Sequence, residues 1–230
     1  MNSDTLANKG GHETVKEFSE NTNAADETHE TVSGEEQRGA PRFALLLRTA
    51  KLVSPHGEFL CIVRDVSEGG VKLRLFHGLP AGSERYHLEL ASGDQFAVDL
   101  VWIEGDEAGF QFADTVDVDT FVAEASPFPK RPIRLRVEAE AFISIGGRQI
   151  TARLRDLSRQ GARIESSEKL ALGQTIHVVG PHLPQLQATV CWRRSPEYGL
   201  VFTNILQMGE LAQRVAAIQT GSHPDDRAVA

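Results

Sequence analysis

The strongest constraint on this chain is that it repeats itself. Asp65-Val66-Ser67-Glu68-Gly69-Gly70 returns as Asp156-Leu157-Ser158-Arg159-Gln160-Gly161, an offset of 91. Trp102 returns as Trp192 at 90, Gly109-Phe110-Gln111-Phe112 as Gly199-Leu200-Val201-Phe202 at 90, and Arg42 as Arg134 at 92. Taken singly, the tryptophans read as core residues and the glycines as turns. Their common offset is explained by duplication, so the chain must build the same small domain twice.

Within each copy the hydrophobic period is two. Leu135, Val137, Ala139, Ala141 and Ile143 share one face, with Arg134, Arg136, Glu138 and Glu140 opposite; Gly146-Gly147 then supplies a two-residue turn, and Ile150, Ala152 and Leu154 return. That is a β-hairpin. Further strands are expected at about 161–166, 174–180, 186–193 and 198–203, before an amphipathic helix over 206–219 carrying Leu206, Leu211, Val215 and Ile218. The first copy has the same order: strands near 43–53, 58–66, 70–76, 85–91, 95–103 and 108–113, then a short helix near 117–124. Six short strands with turn signals between them predict a closed antiparallel barrel, with a sandwich as the alternative that periodicity leaves open. The expected organisation is a tail at 1–36, barrels at 37–125 and 126–220 each ending in a helix, and a loose polar end at 221–230.

Composition matters chiefly for what it excludes. Of the net charge of −8, residues 1–36 account for −7, with nine acidic side chains against Lys9 and Lys16. Such a stretch buries too little apolar surface to offset the entropy of ordering and is expected to be disordered. The remainder is nearly neutral, without the broad basic face of a nucleic-acid duplex binder. No apolar run approaches the roughly 20 residues of a membrane span, and no basic region followed by an apolar stretch opens the chain. The expectation is a cytoplasmic protein in which Cys61 and Cys191 are free, buried thiols.

The chemistry lies in the repeated D-x-S-x-x-G corner. Asp offers two acceptor oxygens, Ser a hydroxyl and Gly an uncovered backbone. Such a corner receives the donor edge of a guanine or holds a phosphate; its plain alternative is an Asx-turn closed on its own backbone. Upstream of the first corner, Arg38 and Arg42 form R-x-x-x-R at the junction of tail and barrel. A guanidinium fork pairs with guanine O6 and N7 or with phosphate oxygens, and its plane stacks on a purine. The combination suits a ligand that is both guanine nucleotide and diester anion.

Arg38-xxx-Arg42 followed by Asp65-x-Ser67-xx-Gly70 resembles the signature of the PilZ family, over about residues 37–125 and again 128–219. The resemblance implies six-stranded barrels of bacterial second-messenger proteins that bind cyclic di-GMP, the arginines gripping bases and phosphates while the corner holds a guanine edge. Carried over, the ligand residues are Arg38, Arg42, Asp65, Ser67 and Gly70. The second copy departs from the pattern: Lys130 stands where the first arginine belongs, with Arg131 beside it and Pro132 next. Lysine meets a phosphate as a point charge but lacks the guanine fork, a loss of roughly 1–3 kcal/mol. A weaker second site is therefore expected at Lys130, Arg131, Arg134, Asp156, Ser158 and Gly161.

The function so implied is that of a cyclic di-GMP effector. Ordering of the Arg38–Arg42 segment on ligand binding would be passed to a protein partner in motility, polysaccharide or related signalling. The alternative is an interaction scaffold that binds no nucleotide. An enzyme is not expected: there is no HExxH, G-x-S-x-G or P-loop, the eight histidines are scattered singly, and no metal site or cofactor is indicated.

Overall fold

In the computed structural model, which describes residues 43–80, 85–123, 132–180 and 182–221, each repeat folds into six strands and a helix. The first contains β1 (Phe43–Ser54), β2 (Gly57–Ser67), β3 (Gly70–Leu75), β4 (Arg85–Leu90), β5 (Gln95–Glu104), β6 (Glu107–Phe112) and α1 (Val118–Ala123). The second contains β7 (Leu135–Ile145), β8 (Arg148–Leu157), β9 (Gly161–Glu165), β10 (Thr175–Gly180), β11 (Leu183–Arg194), β12 (Glu197–Phe202) and α2 (Met208–Thr220). The tail at 1–36, Arg38, Arg42, Lys130, Arg131 and residues 222–230 lie outside the described residues.

Both sets of strands close into antiparallel barrels, ordered β1-β2-β3-β6-β5-β4 and, equivalently, β10-β11-β12-β9-β8-β7. The sandwich alternative is excluded. Inward-facing positions fill each interior: Leu52, Phe59, Leu73, Tyr86 and Leu88 in the first, Leu135, Ile143, Leu154, Leu157 and Ile164 in the second, all essentially inaccessible. Gly146 and Gly147 turn the β7–β8 hairpin at φ 57° and 83°, the two left-handed positions of a type I′ turn, which suit glycine.

Among the described residues the strand register slips at seven places, and four of these stand at the repeat landmarks. Arg64 and Arg155 are extra residues in β2 and β8, just before Asp65 and Asp156; Val101 and Cys191 are extra in β5 and β11, just before Trp102 and Trp192. A bulge of this kind re-aims the next side chain. Val63 and Val66 both point into the barrel, so Asp65 is released to the outer side.

Two expectations are corrected by this geometry. The tryptophans are not core residues: Trp102 and Trp192 are 41% and 39% exposed. Each indole lies outside the barrel on the glycine of the neighbouring strand, where a Cβ at Gly109 or Gly199 would come within 2.0 or 1.9 Å of the indole nitrogen. Trp and Gly therefore recur together because one is the shelf for the other. Cys191, displaced by its bulge, is exposed; its Sγ donates weakly to the Gly199 carbonyl at 3.2 Å. Cys61 is buried, and burial pushes its thiol far above the ordinary range. Iodoacetamide at neutral pH is accordingly expected to add once to the native protein, at Cys191, and twice only after unfolding. Native mass spectra with two adducts at equal rates would contradict the assignment.

The barrels are joined by packing as well as by chain. Leu60 of β2 and Phe76 contribute to the second barrel's hydrophobic cluster. At the junction Lys51 and Glu58, 7% and 6% exposed, form an ion pair of 3.0 Å. Lys51 also reaches Glu89 at 3.2 Å and donates to the Arg134 carbonyl at 3.3 Å. Glu58 accepts the Arg136 backbone N–H at 2.9 Å, and the Gln219 amide of α2 donates to the carbonyls of both Glu58 and Arg136. No helix among the described residues is long and apolar enough to cross a membrane.

Candidate functional site

The bulges align the repeat landmarks into one outer row running across four strands. Register places Asp65 beside Lys72, Lys72 beside Gly109, and Gly109 beside Trp102. In the second barrel the row is Asp156, Arg163, Gly199 and Trp192. Three strand spacings separate the carboxylate from the tryptophan, about 14 Å along the barrel wall. Lys72, Arg163 and the two tryptophans were not among the residues singled out as site candidates. Their common offset of 90 or 91 from one copy to the other, shared with the aspartates, was the available signal.

The Ser and Gly of each corner do structural work. Ser67 Oγ donates to the Gly70 carbonyl at 3.3 Å, and Ser158 Oγ to that of Gly161 at 3.0 Å. The glycines sit where two strands nearly touch: a Cβ on Gly70 would lie 2.7 Å from the Phe110 carbonyl oxygen, and on Gly161 2.0 Å from that of Leu200. The turn's own carbonyls accept from the chain beyond the last strand, Glu68 from Val116 N–H and Arg159 from Leu206 N–H. The corner thus closes the barrel in both copies, as the plain reading of Ser and Gly expects.

The two aspartates differ. Asp156 is buried and doubly engaged: Arg134 Nη1 donates to Oδ1 at 2.8 Å and Arg163 Nε to Oδ2 at 2.7 Å, with Arg163 also bound to Glu197 at 3.0 Å. In the first barrel Lys72 pairs with Glu107 at 3.1 Å. Asp65 Oδ1 is buried and has no hydrogen-bond partner among the described residues. A buried carboxylate oxygen left without a donor is costly. Asp65, Ser67 and Gly70 share the first corner, and Arg134, Asp156, Ser158 and Gly161 the second.

The turn of the second corner also opens onto a cleft of about 430 Å³ between the barrels, with Arg48 and Thr49 on one wall, Arg159 and Met208 on the other, and Ile133 between them. Among the described residues no group of three acidic, His or Cys side chains is placed to hold a metal ion.

Two closed six-stranded barrels, each with a D-x-S-x-x-G corner opening onto an outer polar row, define a tandem β-barrel protein built by duplication of one domain. The chain belongs to the PilZ family: the PilZ domain model matches residues 36–124 and again 130–216. Among solved structures it is similar to PlzA of Borreliella burgdorferi in complex with c-di-GMP, 12% identical over 74% of this chain and 88% of that one, TM-score 0.32. It is also similar to the inhibitor of motility MotI/DgrA of Bacillus subtilis, 10% identical over 75% and 95%, TM-score 0.33. A third is YcgR of Escherichia coli in complex with c-di-GMP, 14% identical over 74% and 82%, TM-score 0.27. No curated protein matches the chain.

Proposed function

We propose that the protein is a cyclic di-GMP receptor whose principal ligand site belongs to the first barrel, with Arg38, Arg42, Asp65, Ser67 and Gly70 as its ligand residues. The observation that carries this reading is the buried Asp65 Oδ1, which has no hydrogen-bond partner among the described residues. A guanine N1–H or N2–H₂ supplies the donor that oxygen lacks. The Ser67 hydroxyl already donates its hydrogen to the Gly70 carbonyl, so its oxygen can only accept from a ligand. Ordering of the Arg38–Arg42 segment on binding would be the signal passed to a protein partner, for which motility and polysaccharide machinery are the expected classes.

A second molecule at Lys130, Arg131, Arg134, Asp156, Ser158 and Gly161 meets an occupied carboxylate. It must displace Arg163 from Asp156, and Lys130 brings no guanine fork. We therefore assign the second corner weaker binding and the second barrel a scaffold role.

The test is a calorimetric titration of the desalted protein with cyclic di-GMP. The wild type is expected to show one dominant transition, and the Arg38→Ala/Arg42→Ala double variant to lose it. A transition that survives in the variant moves the site to the second barrel. A wild type that evolves no heat and shifts no melting temperature supports the scaffold reading instead.

A further inference from the structure

The duplicated barrels have diverged in charge. Residues 43–123 carry six Lys and Arg against thirteen Asp and Glu, whereas residues 132–221 carry eleven against seven. The divergence is sharpest at equivalent hairpins, β5–β6 and β11–β12. Both extend past their barrels: β4 stops pairing with β5 at Asp99, and β10 stops pairing with β11 at Thr189. Among the described residues, 101–104 and 191–194 thus have a strand neighbour on one side only. Such an edge is a template for another strand unless charges blunt it.

The second edge is basic: Trp192 is followed by Arg193 and Arg194, both exposed, with no side-chain hydrogen bond or ion pair among the described residues. The first is apolar with an acidic end: Val101, Trp102 and Ile103 are 62%, 41% and 48% exposed, followed by exposed Glu104 and by exposed Asp106, which also pairs with Arg74 at 2.8 Å. Three consecutive exposed apolar residues on an edge without a second strand neighbour among the described residues mark an interaction surface. Its acidic end calls for a strand with basic residues at the matching end, and the other barrel of this chain carries one.

We propose that the β5 edge of one copy docks on the β11 edge of a second copy. Trp192 covers the Val101–Ile103 strip, while Glu104 and Asp106 face Arg193 and Arg194. Each copy has one edge of each kind, so a two-fold arrangement forms the contact twice and closes as a dimer. Doubling matters because one hairpin contact is small against the roughly 1,200 Å² of a stable interface.

Analytical ultracentrifugation of the full chain, from about 1 to 200 μM, tests the pairing rule directly. The wild type is expected to dimerise, more weakly as salt rises. Arg193→Glu/Arg194→Glu and Glu104→Arg/Asp106→Arg are each expected to raise the dissociation constant at least tenfold. Each variant alone opposes like charges; mixed one to one, every contact again joins acid to base, and heterodimers should form at wild-type strength. A monomeric wild type over the whole range overturns the proposal. So do charge reversals that leave the dimer intact, or a mixture no tighter than its components. Circular dichroism of both variants separates lost pairing from lost folding.

Discussion

Asp65→Ala is expected to weaken cyclic di-GMP binding about 10- to 150-fold, the equivalent of the roughly 1–3 kcal/mol carried by a well-placed base-edge contact. Asp156→Ala is expected to leave the dominant affinity within about twofold, since distant sites without shared partners combine almost additively. The asymmetry comes from geometry: Asp65 keeps a buried oxygen without a donor among the described residues, while Asp156 holds Arg134 and Arg163. Stability should respond in the opposite sense. Removing Asp65 relieves an unsatisfied buried acceptor, so melting should change little or rise; removing Asp156 strips Arg134 of its partner and Arg163 of one of two. Parallel calorimetry and thermal melts read both effects. Equal affinity losses in the two variants would place ligand on both corners and refute a principal site on the first barrel.

Glu58→Ala is expected to be the most damaging single change at the barrel junction, costing about 3–5 kcal/mol, as expected for removing one partner of a buried ion pair. It leaves Lys51 buried with only Glu89 and a carbonyl for company, and it orphans the Arg136 N–H. Lys51→Met/Glu58→Gln should recover much of the loss, because it removes the buried ammonium left with Glu89 as its one carboxylate and keeps an acceptor for Arg136. Urea denaturation monitored by fluorescence provides the measurement. Because the pair, which lies within the first barrel, also bonds the Arg134 carbonyl and the Arg136 N–H of the second, the single variant should also broaden or split the transition while the double variant unfolds more cooperatively. A loss below about 1 kcal/mol, in the range of exposed pairs, would mean that the junction is wetter than the structure implies.

The order of elements along the chain was legible because inward positions such as Leu135, Ala141 and Leu154 alternate cleanly and because the duplication supplied every landmark twice; closure into a barrel rather than a sandwich was left open by that periodicity. Element ends agree to within a few residues for the same reason; β11 is the exception, beginning at Leu183, where Pro184 and a polar run mask the start of its alternation. The four bulges were not legible. An extra residue at Arg64 or Val101 has no composition of its own, yet it decides that Asp65 and Trp102 face outward. The misplaced tryptophans and Cys191 follow from that single blind spot: large apolar or thiol side chains read as interior unless the pleat is known to slip. At the corners, pattern singled out Asp65, Ser67 and Gly70 as candidates but not the difference between the two copies. That difference depends on Arg163 reaching a carboxylate on the next strand where Lys72 turns to Glu107, a choice made in three dimensions.

The close approach of Gly70 to the Phe110 carbonyl, and of Gly161 to that of Leu200, bears on how such signatures should be scored across relatives. Half of the motif serves to seal both barrels of this chain, whether or not any nucleotide ever arrives. An intact serine and glycine are therefore a certificate of architecture, and allegiance to a messenger has to be read from the carboxylate's vacancy and the guanidinium count beside it.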